Sequence, residues 1–130
     1  MSDGTTQKIC VSVEPSYMDD QSIPNENLFV WVYHIVIENN GDKTVQLRNR
    51  YWHITDSLGR VQEVHGEGVV GKQPVLQPGE AFRYTSGVHL SAGSGIMAGN
   101  YEMETHDGET FQVTIPAFSL DSPHENQLIQ

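Results

Sequence analysis

Residues Gly66-Glu67-Gly68-Val69-Val70-Gly71 spell G-x-G-x-x-G. In a dinucleotide-binding fold those glycines let a pyrophosphate approach the N-terminus of a helix that follows a strand. Here the next residues are Lys72-Gln73-Pro74-Val75-Leu76-Gln77-Pro78, which put two prolines where that helix would run. The motif therefore reads as a loop that needs positive φ or close backbone packing. Its chemical alternative is a small-ligand, pyrophosphate or metal accessory site built from the Gly66–Gly71 amides, with Lys72 and His65 nearby. The six histidines are widely spread, at His34, His53, His65, His89, His106 and His124. None has the ligand spacing of a zinc site. Ser86 and Ser91 lack a nucleophile-elbow context. Glu102 and Glu104 read as an exposed acidic face, and Cys10 on a strand reads as inert. No catalytic residue, metal set or cofactor is expected.

The elements that must carry these residues are strands. Period-2 runs bounded by Gly, Pro, Asn and Asp recur along the chain, and no window shows helical periodicity. Ile9, Val11 and Val13 alternate with polar residues, and Pro15 should end or bend that strand. Leu28–Glu38 is the strongest run, with Phe29, Trp31, Tyr33, Ile35 and Ile37 as its core face. Its other face carries Val30, Val32 and Val36, which predicts a covering element. Val45 and Leu47 read inward, and so do Trp52 and Ile54. The step from Leu47 to Trp52 is odd, so parity slips at Arg48-Asn49-Arg50, which predicts a β-bulge or a strand that changes sheet. Short strands follow at Val61–Val64 and Ala81–Val88. Ser91–Gly99 reads as a small-residue loop. Tyr101–Thr105 and Phe111–Ile115 pair across a two-residue Asp107-Gly108 turn, with Pro116 closing the return strand. Tyr101 sits where a tyrosine corner would bond upstream backbone. These features predict one all-β domain over residues 1–130, an immunoglobulin or fibronectin type III-like β-sandwich of about seven antiparallel strands. Residues 1–6 and about 121–130 are expected as tails.

Charge narrows the partners. Seven Lys and Arg against seventeen Asp and Glu give a net charge of −10. That disfavours nucleic acid and anionic membranes. A single cysteine and the lack of a leader pattern point to the cytoplasm. Lys43, Arg48, Arg50, Arg60 and Lys72 are five of the seven basic residues. The expected docking edge is therefore Arg48, Arg50 and Tyr51 with Gly66, Gly68, Gly71 and Lys72 of the neighbouring loop. Arg and Tyr are favoured interface anchors. The plainer reading is that these residues only balance local acids. A protein partner and a monomer or weak homodimer are expected.

The chain resembles the bacterial ApaG family in Arg50-Tyr51-Trp52, Ile54-Thr55-Asp56 and Gly66 through Pro74. The likeness continues through Leu76, Pro78-Gly79-Glu80, Phe82, Tyr84-Thr85-Ser86-Gly87, Gly99, Tyr101, Met103, Gly108, Phe111, Val113-Thr114-Ile115-Pro116 and Phe118. Ser91-Ala92-Gly93-Ser94 departs from the family's pattern. The resemblance implies a fibronectin type III-like sandwich with no established catalytic activity. It implies an association with cobalt resistance and magnesium efflux. Related domains in eukaryotic F-box and DNA-polymerase-interacting proteins imply a non-enzymatic protein-interaction module.

Overall fold

Phe29, Trp31, Tyr33, Ile35 and Ile37 are all buried, and they form the centre of the core. The computed structural model of the chain describes residues 8–124. The strands are β1 (Ile9–Tyr17), β2 (Phe29–Asn39), β3 (Val45–Asp56), β4 (Val61–Glu67), β5 (Val75–Leu76), β6 (Ala81–Leu90), β7 (Ser94–Thr105) and β8 (Thr110–Asp121). Two 3-10 turns, Asp19–Gln21 and Pro24–Glu26, are the helical elements among the described residues. One antiparallel sheet has the order β1-β2-β6. The other has the order β4-β3-β7-β8, with β5 paired to β3. The alternate residues of β2, β3, β6, β7 and β8 fill the space between the sheets, so the all-β sandwich expected from the sequence is the fold.

The parity slip is a bulge. Leu47 faces Met103 and Asn49 faces Glu102, so Arg48 is the extra residue on β3. Pro15, expected to end or bend its strand, and Pro116, expected to close one, both lie within strands. Pro15 pairs with Tyr33, and β1 runs on to Tyr17. The ladder bonds from Asn40 to Lys8 and from Met18 to Val30 place hydrogen-bonded pairs at even β1 positions. The missing N–H of Pro15 therefore points away from β2, where an edge strand tolerates it. Pro116 lies at a second irregularity, where Met97 faces Phe118 and Gly99 faces Ile115. The extra residue lets β8 continue through Phe118 to Asp121, whose carbonyl accepts the Trp31 indole N–H at 2.8 Å. Asp121, where the expected tail begins, is thus strand. The expected tail positions 1–6 and 125–130 lie outside the described residues.

Three further expectations change. Ser94–Gly99 is strand, because β3 and β8 clasp β7 from both sides and leave little room for side chains there. The Asp107-Gly108 turn is a three-residue loop: Thr105 pairs with Glu109 around His106-Asp107-Gly108, and Gly108 has φ +91°. Val30, Val32 and Val36 are half-buried on a sheet face flanked by β1 and β6, and the flanking strands supply that cover.

Tyr101 also differs from a tyrosine corner. Its hydroxyl meets that of Tyr84 at 2.6 Å in the core. Burial pushes both phenols far above the ordinary tyrosine range, so both stay neutral. Tyr101→Phe would leave the Tyr84 hydroxyl without that partner, and the expected loss is about 1–2 kcal/mol in urea unfolding. An unchanged midpoint would show that the pair contributes nothing.

Candidate functional site

The bulge at Arg48 organises the neighbouring glycine loop. A bulged residue leaves the regular ladder, and here the Arg48 carbonyl accepts the Gly68 N–H at 2.9 Å and the Gln73 side-chain amide at 2.9 Å. Beyond the bulge, Arg50 shares the inward parity of Trp52 and Ile54. Its Nη1 donates to the Glu67 and Gly68 carbonyls, both at 3.0 Å. The loop is thus clamped to β3 by backbone from one arginine and by the side chain of the next but one.

The glycines divide by role. Gly66 belongs to β4, paired with Arg50, and a Cβ there would sit 2.7 Å from the guanidinium. Gly68 and Gly71 adopt φ +63° and +81°. Val70 between them has φ +44°, an uncommon conformation for a β-branched residue, and it is 52% exposed. Val69 and Lys72 exchange both backbone hydrogen bonds around Val70-Gly71. The N–H groups of Gly68, Val69 and Lys72 are therefore engaged within the protein. The loop closes as a tight hairpin, and the chain continues into Pro74 and β5 without a helix, as the prolines predict.

Arg50 faces a space between the sheets. A cavity of about 170 Å³ lies between Tyr33, Tyr84 and Ser86 on one sheet and Arg50, Trp52 and the Val69–Gly71 loop on the other. A second, of about 250 Å³, shares Tyr33, Arg50, Trp52 and Ser86 and extends toward Ile54, Val64, Val88 and Met97. The first is mostly polar; the second is mixed, with Gln62, Ser86 and His89 beside the apolar Ile54, Val64, Val88 and Met97. Burial raises the Tyr33 phenol above its ordinary range, with Ser86 and the Arg50 charge pulling it back part of the way. The smaller cavity is thus lined by Tyr33, Tyr84, Ser86 and one arginine, and His89 borders the larger one.

The residues expected to form one docking edge come together in part: Arg50, Tyr51 and Gly66 border one outer depression, which Arg48, Gly68, Gly71 and Lys72 do not line. Arg50 also borders both cavities between the sheets. Tyr51 points outward, its ring 4.8 Å from that of His65 and its hydroxyl donating to Glu63 at 2.8 Å. Arg48 is taken up by Gln46 at 3.1 Å and Glu104 at 3.5 Å. Lys72 is exposed, and its backbone rather than its side chain holds the turn. The outer face around Tyr51 is a shallow depression of about 670 Å³ bordered by Arg50, Tyr51, His65, Gly66, Glu67 and Glu102, where the Asn49 amide donates to Glu102 at 2.6 Å. The sequence reading missed Tyr33, Tyr84 and Ser86 as neighbours of Arg50. The signal was available: counting back by two from Trp52 places Arg50 inside and Tyr51 outside. Among the described residues, no group of three His, Cys, Asp or Glu comes together to hold a metal ion. No helix there is long and apolar enough to cross a membrane.

The family model of the ApaG domain matches residues 19–105. The chain belongs to the ApaG family. It is 60% identical over 124 residues to Protein ApaG of Parvibaculum lavamentivorans, covering 95% of each chain. It is 62% identical over 121 residues to Protein ApaG of Paramagnetospirillum magneticum, covering 93% of each. A crystal structure of a Bordetella pertussis protein described as ApaA superposes with a TM-score of 0.86 at 45% identity, covering 89% of this chain and 94% of that one. An Archaeoglobus fulgidus protein at 9% identity and a TM-score of 0.52 shares the fold alone. The ApaG relatives cover the bulge, the glycine loop and the inward arginine together, so the site described here falls within the ApaG domain itself.

Proposed function

We propose that the domain is a non-enzymatic interaction module that takes an extended segment of a protein partner as an extra strand on β6. The observation that carries this reading is a mismatch between the sheets: β4-β3-β7-β8 faces only β1-β2-β6. β6 is a ten-residue edge strand with a single formal charge, Arg83. Long edges with few charges are ready templates for pairing. The register and the Asn39–Glu80 bond place hydrogen-bonded pairs at even β6 positions. In an antiparallel ladder the odd residues then turn their N–H and C=O groups the other way. Arg83, Thr85, Gly87 and His89 thus offer theirs to the open side. Across the opening, Gln62 is exposed and Val64 only half-buried on β4. A strand added to β6 would cover them.

The anion-binding alternative for the Gly66–Gly71 loop has less support, because its Gly68 and Val69 amides and that of the adjoining Lys72 are already bonded internally. The same proposal carries a cytoplasmic setting and a monomeric or weakly dimeric state. Any part in divalent-cation homeostasis would run through the protein partner.

The test is Gly87→Pro. A Cβ at Gly87 meets only the Trp31 carbonyl at 3.6 Å, an ordinary contact. Proline there removes one outward N–H and leaves the β2 ladder intact. Decapeptides selected from a displayed random library on the unaltered protein should bind this variant about tenfold more weakly or worse. Unchanged affinity in a folded variant would contradict strand addition. Self-association abolished by the same change, with no peptide selected, would make a second copy the occupant instead.

A further inference from the structure

We infer that Arg50 is the carboxylate receptor of this opening, selecting an acidic side chain two residues from an apolar one on the strand added to β6. The inference rests on the strand-addition reading and adds the chemistry of what is read.

Arg50 is half-buried, and both hydrogen bonds it makes are to neutral carbonyls through one nitrogen, Nη1. Among the described residues no carboxylate pairs with it. A guanidinium drawn out of water is usually paired with an acid, and every other arginine with a role in β3 or its hairpin has one: Arg48 has Glu104, and Arg60 has Asp56. The remaining N–H donors of Arg50 are left for a ligand, and a planar fork of that kind matches a carboxylate. Gly66 holds the group in place by lacking a side chain, since a Cβ would sit within 3 Å of it.

The surroundings favour a single negative charge. Tyr33 and Tyr84 stay neutral, and both residues line the cavity of about 170 Å³ with Ser86 and Arg50. Lys72, which follows the Val69–Gly71 loop, is exposed and does not line the cavity. One guanidinium among neutral hydroxyls balances a carboxylate. The adjoining cavity of about 250 Å³ is mixed, and its wall of Ile54, Val64, Val88 and Met97 supplies an apolar subsite beside Gln62 and His89.

The spacing follows from β6. Ser86 borders both cavities and Val88 only the larger one, and they are consecutive inward positions on one strand. A paired strand has the same two-residue repeat. Its side chains facing Ser86 and Val88 are therefore also two residues apart, in either direction of pairing.

The test uses blocked nonapeptides of alternating Thr and Ser with a central Ile and Glu two residues to each side, which serves both strand directions. The Glu peptide should bind about tenfold more tightly than its Gln counterpart and more tightly still than its Lys counterpart. On Arg50→Gln the Glu and Gln peptides should converge to within about twofold, and on Arg50→Glu the Lys peptide should lead. Because Arg50 also props the loop, the comparison of peptides on the unaltered protein stands independently of any variant's folding. Equal binding of the three peptides there, with all weakened by Gly87→Pro, would overturn the role of Arg50 and leave strand addition standing. A Glu preference indifferent to Gly87→Pro would keep the carboxylate site and overturn strand addition. No binding of any peptide at millimolar concentration would overturn both.

Discussion

Gly99→Ala should cost about 3 kcal/mol, near the top of the range for forcing an extra carbon into a packed interior. Gly99 pairs with Trp52, and a Cβ built on it would lie 2.1 Å from the Tyr51 carbonyl oxygen and 3.0 Å from the Trp52 ring. The near contact is backbone of the adjoining strand, so no rotamer change relieves it. β3 and β7 must separate at the level where Arg50 and Trp52 enter the cavity. A domain of this size has roughly 5–15 kcal/mol of stability to lose. The urea midpoint should therefore fall by roughly 1–3 M with little change in slope. A fall smaller than about 0.3 M would mean that the two strands are not clasped as described.

Gly68→Ala should cost about 2–3 kcal/mol, and its neighbours in the motif should cost less. At Gly68 two penalties coincide: φ is +63°, and a Cβ would be 2.2 Å from the Lys72 carbonyl oxygen. Gly71 has φ +81° but open space around the missing Cβ, so alanine there should cost only about 1 kcal/mol of backbone strain. Gly66 has no positive φ, and its Cβ would meet the movable end of Arg50. Gly66→Ala should cost about 0.5 kcal/mol, as the displaced guanidinium weakens its two bonds to the loop. Thermal unfolding of the three single variants gives the order Gly68, Gly71, Gly66 from most to least destabilised. A uniform loss would show that glycine freedom alone, not packing against Lys72, governs the loop.

Much of this fold was legible because period-2 alternation responds directly to burial. The core face of β2 and the bulge at Arg48 both follow from counting parity. The errors lie where a local rule met a tertiary answer. Pro15 and Pro116 read as stops because proline lacks an N–H, yet at Pro15 that group would have pointed away from the ladder, and at Pro116 an irregularity absorbs the mismatch. Gly95, Ala98 and Gly99 read as loop because small residues are common in loops, whereas β7 needs them to lie between β3 and β8. The site was half-legible. Arg50 and the glycine motif were singled out, but Arg48, Arg50 and Tyr51 were grouped by proximity in sequence, and a strand sends adjacent side chains to opposite faces. Tyr33, Tyr84 and Ser86 come to Arg50 from the other sheet. No spacing in the sequence announces a contact across a sandwich.

Strand addition to β6 is tested most directly by residue-resolved amide hydrogen exchange, with and without a saturating selected decapeptide. The amides of Phe82, Tyr84, Ser86, Val88 and Leu90 face β2, so their protection should change little. Those of Arg83, Thr85, Gly87 and His89 face the open side and should slow by about tenfold or more as they pair with the peptide. Alternating protection along β6 is the predicted result. Protection confined to the outer face around Tyr51 and His65, or spread evenly along β6, would contradict it.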